Sequence, residues 1–321
     1  MTFENITILG GTGFIGSRLA VDLAGQCRKV TVLTRRRQRL KDLRVVSNID
    51  IVEVDVHNPD ALSAAVANSD AVINLVGILN QSSDSGPHSF QGAHVDLTQH
   101  LMQALLFNNI PRYVHMSSLN AGIEHESASE YLNSKGRAEQ IITELAPEHM
   151  QVSIMQPSVI FGAGDSFFNR FAGLIQNTPV MPLACPDAKL SPVYVDDVCD
   201  AIVTALNSAE AGIQRVPLCG PRDYTLRELV KFTADTLDVN RPIIGLPDWA
   251  ARLQARIMGV LPGKPFSTDN YLSLQIDSVC DASCIDAGCR QNTSIEAMVP
   301  RYFGTSGNRS QQQQYRRLAR R

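Results

Sequence analysis

Tyr131 and Lys135 stand four residues apart in Tyr-Leu-Asn-Ser-Lys. The segment carries on as a helix through Arg137, Ala138 and Glu139, so both side chains share one face. A lysine ammonium beside a phenol favours the phenolate, drawing the tyrosine from about 10 toward the range of a working general acid or base. Ser118 closes His115-Met116-Ser117-Ser118 at the end of a strand-like run, where its hydroxyl could hydrogen-bond a substrate oxygen. Tyr-x-x-x-Lys strings are frequent by chance, and surface pairs of this kind are common. Order gives this one its weight: three glycines, then a strand ending in serines, then the pair, each after the expected number of strand–helix units.

The glycines lie in Asn5-Ile6-Thr7-Ile8-Leu9-Gly10-Gly11-Thr12-Gly13-Phe14-Ile15-Gly16. A β-branched run breaks there into Gly10, Gly13 and Gly16, and an apolar pattern at Ile15, Leu19 and Leu23 predicts a helix packed on the strand. Such a turn needs one residue free to adopt positive φ, one without a Cβ so that a pyrophosphate can approach, and one for close helix packing. The phosphates then meet the positive end of the helix. A purely structural turn is the competing reading, and the strand-before, helix-after context weighs against it.

The second strand runs into Arg35-Arg36-Arg37-Gln38-Arg39, with no acid for the ribose hydroxyls of NAD. Arginine grips a 2′-phosphate with a bidentate fork, so NADP(H) is preferred over NAD(H), with Arg35 and Arg36 as the contacts. The alternative is a solvated basic face. Asp55 follows the third strand, placed to accept from the adenine amino group or to cap a turn. Gly77 ends the fourth strand and lets backbone pass close to the cofactor. Phe14, Ile15, Val56, Leu75, Val76 and Pro157 complete the expected cofactor contacts. No metal site is expected: Cys280, Cys284 and Cys289 match no paired-cysteine spacing and have no histidine nearby.

These residues need a scaffold. Strand signals near 5–9, 29–34, 49–54, 70–76, 112–117 and 151–156 alternate with helical segments at 60–67, 91–107 and 127–145, which predicts an α/β fold with a Rossmann-type doubly wound parallel sheet. We read residues 1–156 as the NAD(P)-binding domain. Residues 157–305, where prolines recur and alternating elements shorten, form a smaller C-terminal substrate lobe partly interleaved with the first. Phe168, Arg170 and Tyr194 are its expected pocket lining. Residues 306–321, with four glutamines and then Tyr-Arg-Arg-Leu-Ala-Arg-Arg, read as a disordered basic tail. At 321 residues the chain can bury a sizeable core, and its net charge of −3 offers no general attraction to nucleic acid. The mean hydropathy of −0.06 is ordinary for a soluble protein. No apolar run reaches the roughly 20 residues of a membrane span. With no secretory signal visible and seven scattered cysteines read as reduced thiols, the expected location is cytoplasmic.

The chain resembles the extended and atypical short-chain dehydrogenase/reductases through the glycine string, Asp55, Ser118, Tyr131 and Lys135. Within them, residues 70–77 (Asp-Ala-Val-Ile-Asn-Leu-Val-Gly), 156–162 (Gln-Pro-Ser-Val-Ile-Phe-Gly), 165–171 (Asp-Ser-Phe-Phe-Asn-Arg-Phe) and 191–198 (Ser-Pro-Val-Tyr-Val-Asp-Asp-Val) are similar to the family of the 39 kDa accessory subunit of respiratory complex I and its bacterial relatives. The resemblance spans residues 5–302 and implies a Rossmann fold and NAD(P)H binding. It also implies a choice of roles. One is an oxidoreductase or epimerase/dehydratase-like enzyme acting on a small-molecule substrate through Ser118, Tyr131 and Lys135. The other is a non-catalytic accessory or assembly subunit of a respiratory assembly, touching that complex or the inner membrane face; an NADP-sensing regulator ranks last. The family usually carries Arg where this chain has Gln156, which removes a charge from the edge of the nicotinamide site.

Overall fold

The computed structural model describes residues 3–35, 43, 46–82, 85–122, 129–261, 265–281 and 289–303. The chain divides into two compact units, residues 1–157 with 198–217 and residues 158–197 with 218–321.

The first unit is built on a seven-stranded sheet in the order β11-β6-β5-β4-β1-β2-β3. Its strands are β1 (Asn5–Leu9), β2 (Lys29–Thr34), β3 (Ile49–Glu53), β4 (Ala71–Asn74), β5 (Arg112–Met116), β6 (Gln151–Pro157) and β11 (Gly212–Leu218). The first six pair in parallel, with Ile6 opposite Val30 on one side of β1 and Ala71 on the other. Helices α1 (Phe14–Ala24), α2 (Pro59–Val66), α3 (Leu97–Phe107) and α4 (Glu130–Leu145) connect them, and α6 (Val195–Asn207) belongs to this unit from Val198 onward. Ile8, Val72, Ile73, Val152 and Ile154 are buried, as continuous β-branched runs covered on both faces should be. The chain order reverses between β1 and β4, and ligands of such sheets gather at the carboxyl ends of the strands beside that reversal.

The expected strands all form. A seventh strand, β11, comes from within residues 157–305, the part read as interleaved with the first domain: the Gly212 N–H donates to the Met150 carbonyl at 3.0 Å and the strand lies beside β6. The segment read as one helix over 91–107 begins with a π turn at Gln91–Asp96 before α3.

The second unit contains short strands β7 (Ile160–Phe161), β8 (Met181–Leu183), β9 (Lys189–Leu190), β10 (Val193–Tyr194), β12 (Tyr224–Thr225) and β13 (Ile243–Gly245). Its helices are α5 (Phe167–Asn177), α7 (Leu226–Thr236), α8 (Asp248–Gly259), α9 (Thr268–Ser273) and a closing helix at Ile295–Phe303. Asp165 organises the start of α5, accepting from the backbone N–H groups of Gly162 and Phe168 and from the Tyr302 hydroxyl at 3.1 Å. Phe168 and Tyr194, expected to line a pocket, instead pack their rings on Phe161 at 5.9 and 5.5 Å, with Phe168 fully buried. Arg170 spends its guanidinium on the Pro265 carbonyl at 3.0 Å. Cys219 and Cys280 form a disulfide, correcting the reading of reduced thiols. Cys289 is also disulfide-bonded, and Cys284 lies outside the described residues.

Candidate functional site

The glycine turn closes as its spacing requires. Gly10 adopts φ +74°, and a Cβ there would stand 2.9 Å from the Leu75 carbonyl carbon. At Gly16 a Cβ would meet the Gly10 oxygen and the Gly11 Cα, both at 2.5 Å, so α1 can sit against the turn only because that atom is missing. Gly13 caps α1 in extended conformation, and no acid occupies the first turn of that helix to compete with an anion. The Leu75 N–H donates to the Leu9 carbonyl at 3.0 Å, which lays Leu75, Val76 and Gly77 beside the turn. Val76 is fixed further by its N–H donating to the Asn74 side-chain oxygen at 3.1 Å. Gly10, Gly13, Phe14, Ile15, Gly16, Leu75, Val76 and Gly77 are thereby brought together, and the cradle fits a dinucleotide pyrophosphate.

Arg35 is exposed at the end of β2, its guanidinium 3.5 Å from His88 Nε2. Arg36 lies outside the described residues. Asp55 accepts from the His57 N–H at 3.0 Å, the turn-capping role weighed against adenine recognition, and Val56 beside it is buried. Pro157 ends β6, its carbonyl accepting from the Leu119 N–H at 2.9 Å, which ties the segment after Ser118 to the neighbouring strand.

Helix α4 starts at Ser129, whose hydroxyl accepts from the Leu132 N–H, and carries Tyr131 and Lys135 one turn apart. Lys135 is 3 % exposed, an unusual place for a cation. Its ammonium donates to the Met116 carbonyl at 2.7 Å and lies 3.4 Å from where a Gly77 Cβ would be. Burial lowers its pKa to about 8, opposed by the carboxylate of Glu139 one turn further on. Ser118 is half-buried, its hydroxyl 3.2 Å from the Leu119 carbonyl.

Residues not singled out for the site in the sequence, His94 and Glu139 first among them, complete the arrangement. His94, on the π turn, accepts the Ile78 N–H at Nε2 (3.1 Å), so the proton sits on Nδ1, which faces Ser134 Oγ at 2.7 Å. That hydroxyl in turn donates to the Tyr131 carbonyl at 2.8 Å. Burial, reinforced by the Lys135 charge, lowers the His94 pKa to about 2 and keeps the ring neutral. Its ring and that of Phe90 also flank Tyr131 edge-on, at 5.7 and 6.0 Å. The one local signal was Gly92 inside a helical pattern, where a Cβ would strike the Gly86 carbonyl. Behind Lys135, Glu139 accepts from Ser117 Oγ, from Gln156 Nε2 at 2.9 Å and from Arg215 Nε at 3.2 Å. Gln156 therefore turns to the buried carboxylate, and Arg215 on β11 brings the positive charge to it.

A parallel sheet with this strand order, a glycine cradle at its switch point and Ser118, Tyr131 and Lys135 at the ends of β5 and the start of α4 define a dinucleotide-binding fold of the short-chain dehydrogenase type. Residues 6–220 match the NAD dependent epimerase/dehydratase family, and the chain belongs to it. It is 29% identical over 269 residues to the mitochondrial NADH dehydrogenase (ubiquinone) 1 alpha subcomplex subunit 9 of Mus musculus, covering 82% of this chain and 69% of that one. It is 25% identical over 246 residues to a ceramide reductase of Caulobacter vibrioides, covering 76% and 74%. Among solved structures, the dTDP-glucose 4,6-dehydratase DesIV of Streptomyces venezuelae, with NAD and TYD bound, superposes with a TM-score of 0.70 at 19% identity, over 94% of this chain and 98% of that one. Among the described residues no helix is long and apolar enough to cross a membrane, and no cluster of His, Cys, Asp and Glu could hold a metal ion.

Proposed function

We propose that the protein is an NAD(P)-dependent oxidoreductase acting on a carbonyl or alcohol. The buried Lys135 ammonium carries this reading. A buried cation costs free energy that a helix–sheet contact does not need, and it stands one turn from a tyrosine and at the edge of the glycine cradle. A bound nicotinamide supplies or accepts the hydride. Tyr131 passes the proton to or from the substrate oxygen, Ser118 orients that oxygen, and the Lys135 charge favours the phenolate. NADPH is the preferred cofactor, supported by Arg35 where an acid would mark NAD selectivity.

The test is turnover of NADPH and NADH against a panel of carbonyl substrates, long-chain lipid ketones included because of the ceramide reductase relative. Tyr131→Phe is expected to lower kcat by about 10²–10⁴-fold with the dinucleotide still bound. Equal turnover by the variant removes Tyr131 as the acid, and tighter binding of NADH than of NADPH removes the role of Arg35.

The mouse relative's name supports a second reading, a respiratory accessory subunit that holds NADPH without turning it over. On that reading the purified protein binds NADPH, Tyr131→Phe changes nothing, and the protein migrates with a respiratory complex on native gels.

A further inference from the structure

Helix α8 turns its small side chains inward and its large apolar ones outward. Ala251 and Ala255 are buried, packed in a cluster with Ala184 and Tyr271. Trp249, Leu253 and Ile257 recur every four residues, each two positions from a buried alanine and so about 200° round the helix from it. Their exposures are 71%, 51% and 56%, and Val260 and Leu261 continue the stripe past the helix end at 83% and 46%. A helix that served only to fold its own unit would show the opposite pattern. A contiguous apolar patch of this kind marks an interaction surface.

The charges around the stripe say what covers it. On α8 itself Arg252 and Arg256 are exposed against a single acid, Asp248, so the helix is net positive in a chain whose net charge is −3. Asp248 is held by Arg252 at 2.9 Å and by the Tyr271 hydroxyl. Arg252 and Arg256 lie three and seven residues beyond Trp249, along one flank of the stripe. We propose that this face of α8 docks on an anionic lipid bilayer, the helix lying in the interface plane with Trp249, Leu253 and Ile257 among the upper acyl chains and the arginines at the phosphates. Two copies meeting face to face would set the same arginines against one another, so a homodimer fits this surface less well. The assignment does not depend on whether the dinucleotide site turns over.

Trp249 is the single tryptophan of the chain, so its fluorescence reports on this face alone. The full protein is titrated with phosphatidylcholine vesicles, with and without phosphatidylglycerol. The expected result is a blue-shifted emission on the anionic vesicles, quenched by brominated acyl chains and weakened by salt. Ile257→Asp is expected to cut the partition coefficient about tenfold or more. Arg256→Gln is expected to cut it about fivefold on anionic vesicles only, with circular dichroism confirming that both variants fold. Unmoved Trp249 emission overturns the proposal, even if the protein sediments with vesicles through another segment. A lipid-independent blue shift that grows with protein concentration, together with a doubled mass in solution, also overturns it and gives the face to a second copy.

Discussion

Lys135 holds the titration that a pH profile should read. Its ammonium is charged below about 8 and loses its proton as the pH rises through that value, because burial disfavours the cation. Turnover that depends on the charge therefore falls on the alkaline side. Glu139 raises the Lys135 pKa, so Glu139→Gln is expected to move that limb to lower pH. The check is kcat measured from about pH 6 to about pH 10 for both proteins; a limb that stays in place means another group titrates. Tyr131 and Lys135 were legible in the sequence because a helix makes residues four apart into neighbours. Glu139 was half legible, one further turn along the same face. Its partner Arg215 lies 76 residues away, and Ser134 lies 40 residues from His94, separations that no local pattern encodes.

At the scale of elements, the glycine turn is the joint on which the cofactor cradle depends. Gly16→Ala would place a methyl 2.5 Å from the Gly10 oxygen, whereas at Gly13 the same atom stands off at 3.2 Å. Gly16→Ala is expected to destabilise the fold by about 1–3 kcal/mol through overpacking and to weaken dinucleotide binding, with Gly13→Ala the milder of the two. Thermal unfolding and calorimetric titration with NADPH measure both. An unchanged melting temperature in Gly16→Ala would mean that α1 need not approach the turn so closely. The six parallel strands were readable because buried runs such as Ala71–Asn74 leave little choice of conformation. The π turn at Gln91–Asp96 was not, since its apolar pattern is that of an ordinary helix. Which edge β11 joins is decided by Met150 and the rest of β6, not by its own residues.

For the whole molecule, the Cys219–Cys280 bond joins segments 61 residues apart. Spacing could not reveal it, because the two meet only once β11 has ended and residues 277–280 run beside β9, where Ser278 bridges Leu190. Closing a loop of that length restricts the unfolded chain, and losing the bond typically costs about 2–4 kcal/mol. Reductant, or Cys219→Ala with Cys280→Ala, is thus expected to lower the melting temperature; an unaltered transition shows that the bond does not contribute. The order of residues in the two units also bears on synthesis. The first unit is interrupted after residue 157 and resumes at 198, so as the chain leaves the ribosome β6 is the bare edge of an unfinished sheet until β11 arrives. An unpaired, largely apolar edge strand is a template for another chain. Chains released after residue 197 should aggregate, and chains released after residue 230 should do so less, as sedimentation of stalled or truncated products would show. The nascent protein therefore has a vulnerable interval whose length is set by the excursion between β6 and β11, and that interval is where a chaperone would be most needed.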